Sequence, residues 1–226
     1  MKCASVLILV VAVLGACSNP KAPNKANFEK AINAWIGENP PCIDVPRSPV
    51  RAVGHADPKA FPLYVEPADS PNPMRRATQE RALKPFQALA DAGLLKAEQV
   101  QINIDGGPFA TGPATRTVAA YSLTPEGEEA LSTRTSRMAG QVPAFCYGAP
   151  KVKEIVRFTE PADMMGATIS RVEYTYQVKD QPAWTRTPAL QAAFPQLVRD
   201  SADTLEGRAA VVLTNEGWIH ERAAKF

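Results

Sequence analysis

Residues 169–178 read Ile-Ser-Arg-Val-Glu-Tyr-Thr-Tyr-Gln-Val, and this stretch decides the fold. Its side chains alternate strictly: Val172, Tyr174, Tyr176 and Val178 share one face, and charged or polar residues occupy the other. A strand with one apolar and one polar face packs on a core from a single side, as in antiparallel sheets. The stretch therefore predicts a half-buried strand of a mainly antiparallel sheet.

Other segments extend this pattern in both directions along the chain. Towards the C-terminus we expect a short helix over 188–194 and a hairpin that turns at residues 215–217, and on the N-terminal side a strand over 152–158. Farther towards the N-terminus, apolar spacing predicts a helix over 27–36, which Gly37 ends, and a helix over 75–92, in which Pro85 either causes a kink or starts a second helix. The predicted fold class is α+β, with a small helical N-terminal part followed by a mainly antiparallel β part.

Composition excludes several classes of function. The chain has 226 residues with a formal net charge of +2, too small for a strong field that would attract nucleic acid. Hydrophobic residues make up 45% and charged residues 21%, which is ordinary globular usage. Two histidines and four cysteines, without His-x-x-x-His or Cys-x-x-Cys spacing, predict no metal site and no cofactor.

The N-terminus has the pattern of an export signal. Lys2 supplies positive charge, residues 6–14 form an apolar run too short to span a bilayer, and Leu14-Gly15-Ala16-Cys17 follows. The last four residues resemble the lipobox of bacterial lipoprotein precursors. The resemblance implies cleavage before Cys17, diacylglycerol on its sulfur and acylation of its new amine. Two or more acyl chains anchor a protein stably in a membrane.

The same resemblance predicts where the protein is located. Ser18, rather than aspartate, follows the lipidated cysteine, which implies transport to the periplasmic side of the outer membrane. Residues 18–26 are polar and contain proline, so they predict an extended tether. A polar, basic segment at 132–140 predicts a linker. The expected regions are a signal peptide (1–16), the lipidated cysteine and tether (17–26), an α+β region (27–140) and a mainly antiparallel β region with a short helix (141–226).

Two cysteines remain after processing, Cys42 and Cys146. An even pair in an oxidising compartment predicts a disulfide, and apolar neighbours at both positions favour a buried bridge at the edge of a core. Two buried free thiols or one reactive thiol are the alternatives. Neither cysteine has a histidine or a cluster of basic residues beside it in sequence, which disfavours a nucleophile.

Residues 79–131 carry a second, weaker resemblance. The phrases Ala-Asp-Ala-Gly-Leu-Leu (90–95) and Tyr-Ser-Leu-Thr-Pro-Glu-Gly (121–127) resemble the back half of a winged-helix domain, in which a hairpin leads into the next helix. That family implies DNA binding. Because an exported lipoprotein does not meet chromosomal DNA, we expect a packing module and no nucleic-acid partner.

Candidate catalytic groups are sparse in this sequence. His55 and His220 are the only imidazoles, and no Gly-x-Ser-x-Gly motif accompanies them. Glu160 and Asp163 flank a proline and are the one candidate carboxylate pair. A hydrolase that uses carboxylates or either histidine is therefore an alternative, and it requires a cleft that converges on one of them.

We expect a non-enzymatic, membrane-anchored protein that binds a protein partner in the cell envelope. The predicted contact surface is a loop with Met164 and Met165, together with Trp184, since methionine adapts to varied partners. Burial of both methionines is an equal alternative. A small-ligand binder is the other candidate, and it predicts an apolar cavity lined by Tyr174, Tyr176 and the tryptophans, although scattered tryptophans are more often core residues.

Overall fold

The structure, a computed structural model, describes residues 19–55, 57–104, 112, 114–136, 140–164 and 166–224. These residues form five α-helices: α1 (Lys25–Glu38), α2 (Pro73–Asp91), α3 (Pro125–Ala130), α4 (Pro188–Ala193) and α5 (Gln196–Asp200). They also form eleven strands: β1 (Cys42–Asp44), β2 (Leu63–Val65), β3 (Leu95–Ile104), β4 (Ala114–Leu123), β5 (Leu131–Ser136), β6 (Gly140–Cys146), β7 (Ala149–Phe158), β8 (Ala162–Met164), β9 (Ala167–Lys179), β10 (Leu205–Leu213) and β11 (Trp218–His220). Two short 3-10 turns cover Ala183–Arg186 and Glu221–Ala223.

The strands form three sheets, in which every pairing is antiparallel. Their orders are β2-β4-β3, β1-β6-β5 and β11-β10-β9-β7, and β8 pairs with β9 beside the last of these, the large sheet. Segregated helices on antiparallel sheets define an α+β fold, so the predicted fold class is confirmed. The stretch 169–178 lies within β9, as predicted, and pairs with both β10 and β7.

The first core joins α2 to the sheet β2-β4-β3, to one face of β1 and β6, and to α4 and α5. Leu89, Leu94 and Phe145 are completely buried in it. Pro85 lies inside α2 without ending the helix. The helix continues because Leu83 and Phe86 on either side are held in the core, and packing of an apolar face stabilises a helix more than local propensity does.

The second core lies between α1 and one face of the large sheet. Helix α1 begins two residues before the predicted start, because the Asn24 side chain, not that of Asn27, accepts a hydrogen bond from the Asn27 amide as N-cap. The helix passes through Gly37 and ends at Glu38. The Asn39 side-chain amide donates a hydrogen bond to the Trp35 backbone carbonyl there, and thus satisfies one of the carbonyl groups that the end of the helix leaves unpaired.

The described part of the predicted tether is 19–26; residues 19–24 lie against the folded body, and the prediction of an extended segment is wrong for 25–26, which already belong to α1. The Trp218 indole Nε1 donates to the Lys21 carbonyl at 3.1 Å, and the Asn27 side chain donates to the carbonyls of Asn19 and Ala22. The predicted signal peptide (1–16), Cys17 and Met165 lie outside the described residues. In the described part, no helix has the length and apolar character needed to cross a membrane.

The two cores do not coincide with the regions 27–140 and 141–226. Helix α1 belongs to the first of these regions but packs on the large sheet, which belongs to the second. Conversely, Trp184, Leu190 and Leu197 follow residue 140 and complete the first core. The predicted linker at 132–140 is wrong over most of its length, since strand β5 occupies residues 131–136 and pairs with β6.

The Cys42–Cys146 disulfide is present and links two paired residues of β1 and β6. Both cysteines are half-buried and not enclosed in a core. Their neighbour Ile43 points to the opposite face of the sheet, where it is completely buried in the first core. The bridge therefore lies on the face of the β1-β6-β5 sheet that turns away from that core.

Candidate functional site

A groove of about 1130 Å³ separates the disulfide-bearing face of the β1-β6-β5 sheet from the large sheet. We call it the inter-sheet groove. The C-terminal end of α1, strand β5, strand β9, helix α5 and the 3-10 turn Glu221–Ala223 all contribute to its lining. Its principal side chains are those of Trp35, Glu38, Arg134, Tyr174, Tyr176, Val178, Arg199, Asp200, His220, Glu221 and Arg222.

The alternation of β9 builds the aromatic wall of this groove. Val172 shares a face with Tyr174 and Tyr176, and α1 covers that face over Val172 in the second core. Because α1 ends at Glu38, the wall beyond it, Tyr176 and Val178, is left open and lines the inter-sheet groove. The apolar face of β9, which packs on the second core, thus also forms the aromatic wall of the inter-sheet groove.

Tyr174 and Tyr176 present hydroxyl groups that have no hydrogen-bond partner within the described residues. No solvent-shielded side-chain nitrogen or oxygen in this part of the chain lacks a partner, so both hydroxyls reach solvent. Burial of the rings raises the pKa of Tyr174 and of Tyr176, so both groups keep their protons at neutral pH and can donate. Gly207 lies beneath Tyr174, and a Cβ at this position would overlap the phenol ring.

His220 lies at the end of β11, with its ring stacked on the Trp35 indole at a centroid distance of 5.4 Å. Burial is the main cause that lowers the pKa of His220 below its ordinary value of 6.5, with Arg222 acting in the same direction and Glu221 opposing it. The neutral ring accepts a hydrogen bond at Nδ1 from the Arg222 amide, at 3.1 Å. The proton is then on Nε2, which makes this nitrogen a donor.

A buried carboxylate closes the α5 end of the groove. The Asp200 side chain accepts hydrogen bonds from the Tyr147 hydroxyl at 2.8 Å and from Arg199 Nε at 2.9 Å. Burial, and then the hydrogen bond to Asp200, raise the pKa of Tyr147 far above its ordinary value. This hydrogen-bonded set fixes α5 against β6 and compensates the buried charge.

The remaining charges of the groove differ in whether they are already paired. Arg134 forms a bidentate ion pair with Asp44. Arg208 also borders the groove, but its side chain pairs with Glu173 on the outer face of the large sheet. Among the described residues, the Arg222 guanidinium has no ion-pair partner, and Arg222 lines the same groove as Tyr174. Within the described residues, the groove thus contains one cation without an ion-pair partner, Arg222. It also contains three hydrogen-bond donors without an acceptor, which are the hydroxyls of Tyr174 and Tyr176 and His220 Nε2.

The structure does not bring the predicted contact residues together on one surface. Met164 ends β8 and is 47% exposed, so it is available to a partner. Trp184 is only 4% exposed and packs edge-on against Tyr147 in the first core, since the 3-10 turn that carries it is drawn into that core. Trp184 therefore adds nothing to an exposed surface.

The candidate catalytic residues are dispersed as well. His55 Nε2 donates to the Ala60 carbonyl, 2.9 Å away, and the ring packs on Tyr64 outside the groove. Glu160 is exposed, and Asp163 accepts a hydrogen bond from Thr168 on the neighbouring strand. Within the described residues, neither histidine bonds to a carboxylate or a hydroxyl, and no three His, Cys, Asp or Glu side chains cluster as metal ligands.

Sequence reasoning found the two tyrosines and His220 but missed Trp35 as a partner of His220, and missed Arg222 and Asp200 altogether. Alternation along β9 was the signal for the tyrosines. No local pattern marks the others, because they meet only when β11, α5 and α1 pack around the large sheet. No protein-family model, curated protein or solved structure matches this chain.

Proposed function

We propose that this chain is an exported lipoprotein, anchored through lipids on Cys17 to the periplasmic side of the outer membrane, with a non-enzymatic body that binds a partner in the cell envelope. The inter-sheet groove is its binding site. One observation carries this proposal: Tyr174, Tyr176, His220 and Arg222 offer donors to the groove that no described residue satisfies. Polar groups held in an aromatic-lined groove without internal partners provide binding specificity.

The groove supports binding more than hydrolysis. A histidine that acts as general base needs a nucleophile within hydrogen-bond reach and a group that orients its other nitrogen. His220 Nδ1 is oriented by a backbone amide, and the ring packs on Trp35. The described groups around His220 are therefore suited to hold a ligand in place.

A small-ligand binder is the second candidate, and one observation favours it. Tyr174, Tyr176 and Trp35 line the groove, whereas Trp184 and Trp218, which that hypothesis also requires, are buried in the two cores. The volume, however, is at or above the range of roughly 300–1,000 Å³ that encloses small molecules. Besides its ion pairs and the buried Asp200 network, the groove also contains three formally charged side chains, Glu38, Glu221 and Arg222, so a larger polar occupant fits better than a small apolar one.

Photocrosslinking from inside the groove tests this function. The photoreactive residue p-benzoylphenylalanine replaces Tyr176 in the full chain, expressed in its native envelope and irradiated. We expect a crosslinked product of defined mass, because the side chain at this position faces the occupant of the groove. Gel electrophoresis and mass spectrometry of the purified chain measure the product.

The matched control carries the same photoreactive residue in place of Val156, which is 50% exposed on β7 of the same sheet but does not line the groove. The product should be absent there, and it should be lost when Arg222→Ala is combined with the probe at position 176. Identical products from both positions, or none from position 176, would reject the groove as the binding site.

A further inference from the structure

The hydrogen-bonding direction of β6 follows from its pairing with β1. The Val45 amide donates to the Pro143 carbonyl at 3.0 Å, and the Tyr147 amide donates to the Pro41 carbonyl at 2.9 Å. Successive residues of an antiparallel strand direct their backbone groups to opposite neighbours. Odd-numbered residues of β6 therefore point their backbone groups towards β1, and even-numbered residues point theirs towards β5.

The same alternation divides the backbone of β5. Ser132 and Arg134 are opposite Ala144 and Val142, even-numbered residues of β6, so their amides and carbonyls complete the β5–β6 ladder. Thr133 and its neighbour two residues on, Thr135, direct their amides and carbonyls the other way. The register has no bulge that would shift this alternation.

Among the described residues, no strand pairs with the outward edge of β5, which borders the inter-sheet groove. β5 is the last strand of the order β1-β6-β5 there, and the amides of Thr133 and Thr135 have no backbone or side-chain partner in this part of the chain. Both residues are exposed, and the four consecutive residues 132–135 line the groove. An unpaired strand edge is a template for a further strand.

We propose that the inter-sheet groove binds an extended peptide segment, which adds to the free edge of β5 as a fourth strand and places a carboxylate beside Arg222. This inference rests on the proposed function, because it names the ligand class of the same site. Main-chain hydrogen bonds to Thr133 and Thr135 supply affinity in this mode of recognition. The donors on Tyr174, Tyr176 and His220 select the side chains or the terminus of the peptide.

The charges of the groove favour a peptide over a polyanion. Arg222 is the uncommitted cation, whereas the carboxylates of Glu38 and Glu221 also line the groove. These carboxylates repel a phosphate-rich ligand but accept hydrogen bonds from amides or from a basic side chain. A peptide with groups of both signs matches this arrangement, and a glycan, which offers no strand edge, is the contrasting outcome.

The experiment selects peptide ligands on the full lipidated chain, held in detergent micelles. The probe is a random-sequence pool of peptides of about eight residues, slightly longer than β5 at roughly 3.3 Å per residue. Selected peptides are titrated against the wild-type chain, Thr133→Pro and the matched control Thr133→Ala. Proline removes the outward amide and leaves the β5–β6 ladder intact, since proline is tolerated on an edge strand when its nitrogen faces away from the ladder.

We expect Thr133→Pro to weaken binding by about tenfold or more, and Thr133→Ala to change it by less than about twofold, because a lost hydrogen bond contributes roughly this much and alanine keeps the amide. Arg222→Ala should weaken the binding of peptides that have a free carboxylate. It should leave the binding of the amidated forms of the same peptides unchanged. Equal binding by the proline and alanine variants overturns the inference.

A second measurement changes only the peptide, so that folding of a variant does not enter. Each selected peptide is N-methylated at alternate residues, in two complementary sets. Because every second amide of an added strand faces β5, one set should abolish binding and the other should preserve it. Equal effects of both sets, or recovery of no peptide from the pool, overturn strand addition. Crosslinking from position 176 can still succeed in that case, which separates this inference from the proposed function.

Discussion

Removal of the disulfide through Cys42→Ser combined with Cys146→Ser is expected to lower the free energy of unfolding by about 4 kcal/mol. The bridge closes a loop with a sequence separation of 104 residues, and a long closed loop restricts the unfolded chain most. It also holds β1, only three residues long, against β6. Denaturant titration of the wild-type and doubly substituted full chains measures the difference.

The oxidised and the fully reduced wild-type chain provide the matched control, because no side chain is replaced. Reduction should reproduce the loss seen in the double serine variant to within about 1 kcal/mol, as expected when chain entropy dominates. Oxidised and reduced chains of equal stability would show that strand pairing alone holds β1, contrary to this account.

Phe28→Ala is expected to lower the free energy of unfolding by about 3–5 kcal/mol. The Phe28 ring is completely buried in the second core and makes edge-to-face contacts with Phe158 and Trp218, each at a centroid distance of 4.9 Å. Alanine removes both contacts and leaves a cavity between α1 and the large sheet. Thermal and denaturant unfolding of the full chain measure the loss.

Phe28→Leu is the control for this substitution, since leucine retains most of the apolar volume and should cost about 1.5 kcal/mol or less. If alanine and leucine had equal small effects, α1 would not be packed on the large sheet. The C-terminal end of α1 would then not border the inter-sheet groove.

The elements most accurately predicted from sequence are those with a strong local period. Strict alternation placed β9, and the glycine turn at residues 215–217 placed the β10–β11 hairpin. The α3 cap has the same local character, since the Thr124 hydroxyl accepts a hydrogen bond from the Gly127 amide three residues further on. In each case the pattern that identifies the element lies within a short stretch of the sequence.

Strand β5 shows why other elements were missed. An exposed edge strand buries little surface, so its sequence, Leu-Ser-Thr-Arg-Thr-Ser, has the polar composition of a linker. Its pairing with β6 is fixed by the hairpin and by the Arg134–Asp44 ion pair, which joins residues 90 positions apart. Amino-acid composition therefore cannot distinguish a polar linker from an exposed edge strand.

The sequence also does not show that α1 packs in the second core, or that α4 and α5 pack in the first core. The reason is related. The apolar face of α1 predicts burial but does not name its partner, and α1 packs on strands more than a hundred residues later in the chain. The groove residues Arg222 and Asp200 come together through the same long-range packing. The candidate site could thus be predicted only where it coincides with the alternation of β9.

The mass of the N-terminal fragment tests most directly the proposal that lipid on Cys17 attaches this chain to a membrane. The chain is purified from the envelope fraction, digested and examined by mass spectrometry, beside a Cys17→Ser control. We predict a fragment that begins at Cys17 and carries a diacylglyceryl group and an amide-linked acyl chain, absent from the control. A fragment that begins at Met1, without acyl groups and recovered from the cytosol, would contradict the account.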